Sequence, residues 1–220
     1  MHAQPISPAL LVEHIADRIT GPVATRAANP ADGPSSGWTR VALDGPPSAR
    51  APELAERLAA ELRLRGRAAV RVSAWDFLRP ASLRLELGRE DPDLFYTEWL
   101  DVRALQREVF GPLEPGGTGR VLPALWDAEA DRAKRAEYVD LPPGGVLLLD
   151  GALLLGGPLP FDLTVHLWVS AAALARRTPA EEAWTLPAYA RYAEQAAPEL
   201  TADVVVRCDD PKRPALVSLP

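Results

Sequence analysis

The apolar positions of this 220-residue chain fall into two patterns that alternate along it. Five short runs are apolar almost end to end: RVALD at 40–44, AAVRVS at 68–73, GVLLLDG at 145–151, DLTVHLWVS at 162–170 and ADVVVRC at 202–208. Such runs read as strands buried on both faces. Between the first two, ELAERLAAELRLRG at 53–66 places Leu54, Leu58 and Leu62 on one helical face, and Gly66 ends it as a helix-terminating glycine does. Strands buried on both faces need helices on both sides. The expected architecture is therefore an α/β fold, a doubly wound parallel sheet flanked by helices.

Upstream, PALLVEHIADRI at 8–19 sets Leu10, Leu11, Ile15 and Ile19 at helical spacing. Residues 20–38, TGPVATRAANPADGPSSGW, have the composition of a linker and no apolar periodicity. The expected organisation is an N-terminal helix and linker over 1–37, followed by an α/β domain over 38–220. The helix needs an apolar surface, so it is expected to dock on the sheet or on a second subunit, which makes a homodimer one expected state.

Composition narrows the partners. Hydrophobic residues make up 47% of the chain, enough for a sizeable core. A net charge of −6 and a sequence pI near 5.2 argue against nucleic acid and against an anionic membrane surface, and leave a small molecule or a protein as the expected partner. One cysteine and three scattered histidines form neither a disulfide nor a metal-ligand cluster, so no resident metal is expected. No basic leader precedes an apolar run, and no window reaches the ~18 apolar residues of a membrane helix. The expected compartment is the cytoplasm.

The chemistry to be explained begins at VALDGPPSARAP, residues 41–52. A strand runs there into a helix, the setting of a phosphate-binding loop G-x-x-x-x-G-K-[ST], whose amides, lysine and hydroxyl hold phosphates and Mg²⁺. Only the first glycine is present. Arg50 stands at the second glycine, Ala51 at the lysine and Pro52 at the hydroxyl residue, while Pro46, Pro47 and Pro52 have no N–H to donate. One reading is a proline-stiffened turn that starts a helix at Pro52. The other leaves Gly45, Ser48 and Arg50 to meet an anion in some substitute way. Neither Lys134 nor Lys212, the only lysines, lies near a glycine-rich turn.

The order of several segments resembles the uridine kinase-like family of P-loop kinases over about residues 38–217. These are VALDG with its helix, VRVSAWDFLRP (70–80), LGREDPDLFYTEWLDVRALQREVFGPL (87–113), VLLLDGALLL (146–155), LWVSAAALARR (167–177) and ADVVVRCDDPKRPALV (202–217). The resemblance implies a nucleoside pocket beside an ATP site, with γ-phosphoryl transfer to a 5′-hydroxyl. It implies a catalytic acid at 75, where this chain has Trp75; Asp76 follows it. It also implies nucleoside contacts from Tyr96, Asp101, Trp126 and Asp127, a phosphate-site acid at Asp150, and lid arginines at Arg176 and Arg177. Asp101 equally reads as a helix cap and Trp126 as packing. Glu181 and Glu182 stand where the lid should be basic.

Three readings follow. The first is a kinase-like protein that binds a nucleoside or related small molecule without turnover. The second is an atypical nucleoside kinase using ATP and Mg²⁺ through Arg50, Asp76, Asp150 and Arg176. The third is a repurposed enzyme with a closed cavity lined by Trp75, Asp76, Trp126 and Asp127.

Overall fold

The computed structural model describes residues 2–21 and 37–218; most of the expected linker lies outside them. The chain opens with strand β1 (His2–Pro5) and helix α1 (Pro8–Thr20), followed by β2 (Thr39–Asp44), α2 (Ala51–Leu64) and β3 (Ala69–Ser73). Three short helices come next, α3 (Ala81–Arg84), α4 (Pro92–Thr97) and α5 (Val102–Leu105). Then come the two-residue strands β4 (Arg120–Val121), β5 (Trp126–Asp127), β6 (Arg132–Ala133) and β7 (Val139–Asp140). The chain continues through β8 (Val146–Gly151), β9 (Leu163–Trp168), α6 (Ala171–Arg177), α7 (Leu186–Gln195), α8 (Pro198–Thr201), β10 (Val204–Arg207) and β11 (Ala215–Ser218).

The main sheet has seven strands in the order β1-β11-β10-β9-β2-β8-β3. The five strands from β10 to β3 are parallel, and they are the five apolar runs. β11 and β1 add an antiparallel edge, so the sheet is mixed and mostly parallel.

Alternation along the strands divides the core in two. Val41 and Leu43 of β2, Val146 and Leu148 of β8, and Val165 and Leu167 of β9 face α2, whose Leu54, Leu58 and Leu62 are buried against them. Ala42, Leu147 and Leu149 face the other side, where Phe77, Leu105, Phe110 and Tyr192 pack. α1 begins at a Ser7 cap that accepts the Leu10 amide, and it packs beside α2. Its Leu11, Val12, Ile15, Ala16 and Ile19 join the first core, and Asp17 pairs with Arg65 at 2.6 Å. The helix thus docks within its own chain. Gly66, at φ +75°, follows α2 in the left-handed region that glycine adopts without strain. Among the described residues no helix is long and apolar enough to cross a membrane.

Candidate functional site

β2, β8 and β9 deliver their carboxyl ends to one side of the sheet, where α/β folds gather ligands. Here β2 ends in the buried Asp44 and turns at Gly45. A Cβ at Gly45 would stand 2.9 Å from both Cβ and the carbonyl oxygen of Leu167, so β9 alone requires this glycine. The chain then makes a single 3₁₀ turn over Pro47–Ala49, and Arg50 passes through the left-handed region (φ 63°, ψ 41°) into α2.

This turn has few donors left to offer an anion. Gly45 donates to the Gly151 carbonyl at 2.9 Å, Ala49 to Pro46 at 2.8 Å and Arg50 to Pro47 at 3.0 Å. With three prolines lacking N–H, only Ser48 and Ala51 keep amides outside those bonds. The Arg50 side chain pairs with Glu53. Arg177, at the end of α6, donates to the Ser48 carbonyl and to the carbonyls of Cys208 (3.1 Å) and Asp209 (3.2 Å), pinning the turn to the end of β10. Arg176 beside it is exposed. The Ser48 hydroxyl is buried and has no hydrogen-bond partner.

The acids are also engaged. Asp150 is fully buried and takes Arg71 in a fork, Nε to Oδ1 at 2.6 Å and Nη2 to Oδ2 at 3.2 Å, while Arg71 also reaches Glu56. Burial pushes the Asp150 carboxyl above its ordinary range against the pull of Arg71, and the same contact raises Arg71. Asp76 receives Lys134 Nζ at 2.6 Å.

Trp75 turns into an aromatic cluster whose centre is Phe95. The two rings lie 6.3 Å apart and near parallel, and Trp99, Trp184 and Tyr189 meet Phe95 edge-on at 5.0, 5.6 and 5.9 Å. Two cavities share the wall of Trp75, Phe95 and Trp99. One, of about 430 Å³, reaches Ser48, Arg177, Glu182 and Trp184. The other, of about 290 Å³, reaches Tyr96, Leu100, Leu155 and Gly157. Phe95, Trp99 and Trp184 are absent from the sequence-derived site. Their signal is the i, i+4 pairing of Phe95 with Trp99, which puts two large rings together in a segment otherwise rich in acids.

The remaining candidates are placed elsewhere. Asp101 caps α5, accepting the Ala104 amide at 2.9 Å. Asp127 closes the β5–β6 turn; the Ala130 amide, helped by that of Glu129, holds its carboxyl below the ordinary range. Trp126 donates to Asp131 at 3.1 Å. Neither cavity brings Trp75, Asp76, Trp126 and Asp127 together, which corrects the expectation of one closed cavity lined by all four: the β5–β6 hairpin satisfies its own polar groups apart from the aromatic cluster.

ATP and Mg²⁺ do not fit the residues present. The turn offers no ammonium group, no hydroxyl at its helix-starting position and few uncommitted amides. Asp150, the acid that would organise the metal, is forked by Arg71.

No protein-family model matches the chain, and no curated protein matches it. Solved structures do. A candidate uridine kinase from Bacillus stearothermophilus superposes with a TM-score of 0.66 and 22% identity, covering 90% of this chain and 96% of its own. A candidate fructose transport system kinase from Silicibacter sp. TM1040 gives a TM-score of 0.57 and 23% identity over 90% and 95% of the two chains. The chain has the fold of uridine kinase-like P-loop kinases, a mostly parallel sheet flanked by helices.

Proposed function

We propose that this chain is a kinase-fold binding protein that holds a nucleoside, or a related small molecule with a flat ring, and transfers no phosphoryl group from ATP. The observation that carries this reading is the turn at 45–52, in which three residues have no N–H and three more donate within the protein. Phosphoryl transfer is positioning and charge stabilisation, and each missing element costs orders of magnitude in rate. Absent covalent groups cannot be restored by a change of conformation.

The aromatic wall supports the binding half of the proposal. Trp75, Trp99 and Trp184 offer ring faces beside the two cavities, and stacking a base on such a face is worth about 1–3 kcal/mol. The Ser48 hydroxyl and the side chains of Tyr96 and Thr97 supply polar groups at the edges of that wall. No comparable observation favours an active kinase, because Arg50, Asp76 and Asp150 are each paired with a protein group.

Calorimetric titration with uridine, cytidine and, separately, ATP·Mg²⁺ tests the reading. A nucleoside is expected to bind with Kd between about 10 μM and 1 mM and to quench tryptophan fluorescence, with no heat from ATP·Mg²⁺. Saturable ATP binding, or ADP released when nucleoside is added, overturns it.

A further inference from the structure

A larger cavity, of about 550 Å³, lies between the sheet and helices α6, α7 and α8, and the reading above does not use it. Its floor holds Asp44 of β2 and His166 of β9, register partners on adjacent parallel strands. Both are buried, at 0% and 5% exposure. Asp44 Oδ1 accepts the Leu154 amide at 2.9 Å, and Oδ2 accepts the Tyr192 hydroxyl at 2.9 Å and faces His166 Nδ1 at 2.7 Å. The hydroxyl of Tyr192 in turn accepts the Leu155 amide at 3.0 Å. A carboxylate only accepts, so Nδ1 carries a proton, and in the neutral imidazole Nε2 is then the nitrogen left to accept from a ligand. Among the described residues nothing bonds to Nε2.

Glu199 of α8 lines the same cavity. Its Oε2 is shut away from solvent and has no hydrogen-bond partner. A buried acceptor left unpaired is costly, and native proteins rarely keep one without a purpose. The rest of the lining is apolar or aromatic, with Leu174, Leu186, Trp168 and Tyr189 prominent, and it includes no lysine or arginine. Two carboxylates, an imidazole, aromatic faces and no lysine or arginine make an environment that favours positive charge over negative. The volume is in the range of small-molecule sites.

We infer that this cavity is a binding site for a small apolar primary amine, an alkyl- or aralkylammonium. Its N–H groups donate to Glu199 Oε2 and His166 Nε2, and its hydrocarbon body lies against Leu174 and Leu186. A quaternary ammonium has no N–H and leaves the Glu199 oxygen unpaired. An anion meets two carboxylates and no lysine or arginine.

Three probes that share a phenylethyl body and differ in head group test this on the full chain: 2-phenylethylamine, 2-phenylethanol and 3-phenylpropionate, titrated calorimetrically. The amine is expected to saturate, the alcohol to bind at least about tenfold more weakly and the carboxylate not to bind, since a charge-assisted hydrogen bond discriminates by that order. Glu199→Gln keeps the shape of the side chain on a short surface helix; it should weaken the amine about tenfold and leave the alcohol unchanged. Equal affinity for amine and alcohol, amine binding undiminished in Glu199→Gln, or no saturation by the amine overturns the proposal. Uridine titrated into Glu199→Gln should behave as in the parent chain, which separates a failure here from a failure of the nucleoside reading.

Discussion

Gly45 is the residue at which sequence and structure give different reasons for the same choice. As sequence it is what remains of a phosphate-loop signature; in the structure the crossing of Leu167 forbids any side chain there, with or without a ligand. Asp150 shows the converse, a carboxylate in a ligand-binding position whose charge is answered from within the protein. Because Asp150 is fully buried and Arg71 is its fork partner, Arg71→Met should cost about 3 kcal/mol at neutral pH, the order found when a buried pair loses one member. The cost should also depend on pH. Burial already holds the Asp150 carboxyl above its unfolded value of about 4, and losing Arg71 removes a pull in the opposite direction. A group whose pKa is raised by folding binds its proton more tightly in the native state, so stability is lost as pH rises through the interval between the two values. Urea midpoints should therefore differ little between variant and parent near about pH 4 and widely near about pH 7. An equal difference at both would mean that Asp150 does not titrate in that range.

At the scale of elements, α1 offers the sharpest test of how the chain is assembled. Ile15 is completely buried, and its truncation to alanine should cost about 3 kcal/mol. All six tryptophans lie at residue 38 or beyond, so their fluorescence reports only on the α/β part. If α1 belongs to one cooperative unit with that part, Ile15→Ala shifts the fluorescence midpoint as far as the circular-dichroism midpoint. A fluorescence midpoint that stays put would make α1 an appendage.

The elements legible in the sequence are those whose burial follows from their own pattern: α1, α2 and the five parallel strands, each within about two residues of its reading. β1 and β11 are not legible, because four residues such as HAQP show no periodicity and become a strand only by pairing with each other, His2 beside Ser218. The site follows the same division. Asp76 and Asp150 are visible as acids at strand ends, but their arginine and lysine partners are set by tertiary contact. His166 sits inside a run that reads as purely structural, and only the register of β9 on β2 puts it against Asp44.

Across the whole molecule, the polar groups that matter are collected where the parallel strands end, with α1 and α2 packed beside Cys208 and α6 to α8 beside Asp44 and His166, and this arrangement buries groups that must stay protonated. Burial pushes the Cys208 thiol up to about 12, the neighbouring Asp209 adding to the shift and Arg177 opposing it. Burial, then the charge of Asp44, raises the phenols of Tyr189 and Tyr192 as well. In the unfolded chain the thiol releases its proton near about 8.5 and the phenols near about 10. All three groups therefore bind protons more tightly when folded, and each contributes stability that is complete below its unfolded value and is lost as pH rises above it. From Cys208 alone the loss is about 1.4 kcal/mol per pH unit above about 8.5, and it steepens above about 10 as the tyrosines join. Unfolding free energies measured in urea should thus fall between about pH 8 and pH 10, and Cys208→Ala should flatten that interval while keeping the steeper decline beyond it. The alternative, a parent chain equally stable at both pH values, would require the thiol to sit in a wetter environment than its 4% exposure implies. Iodoacetamide provides the independent check: a thiol held protonated and buried should react in the native state only through opening, far more slowly than in urea.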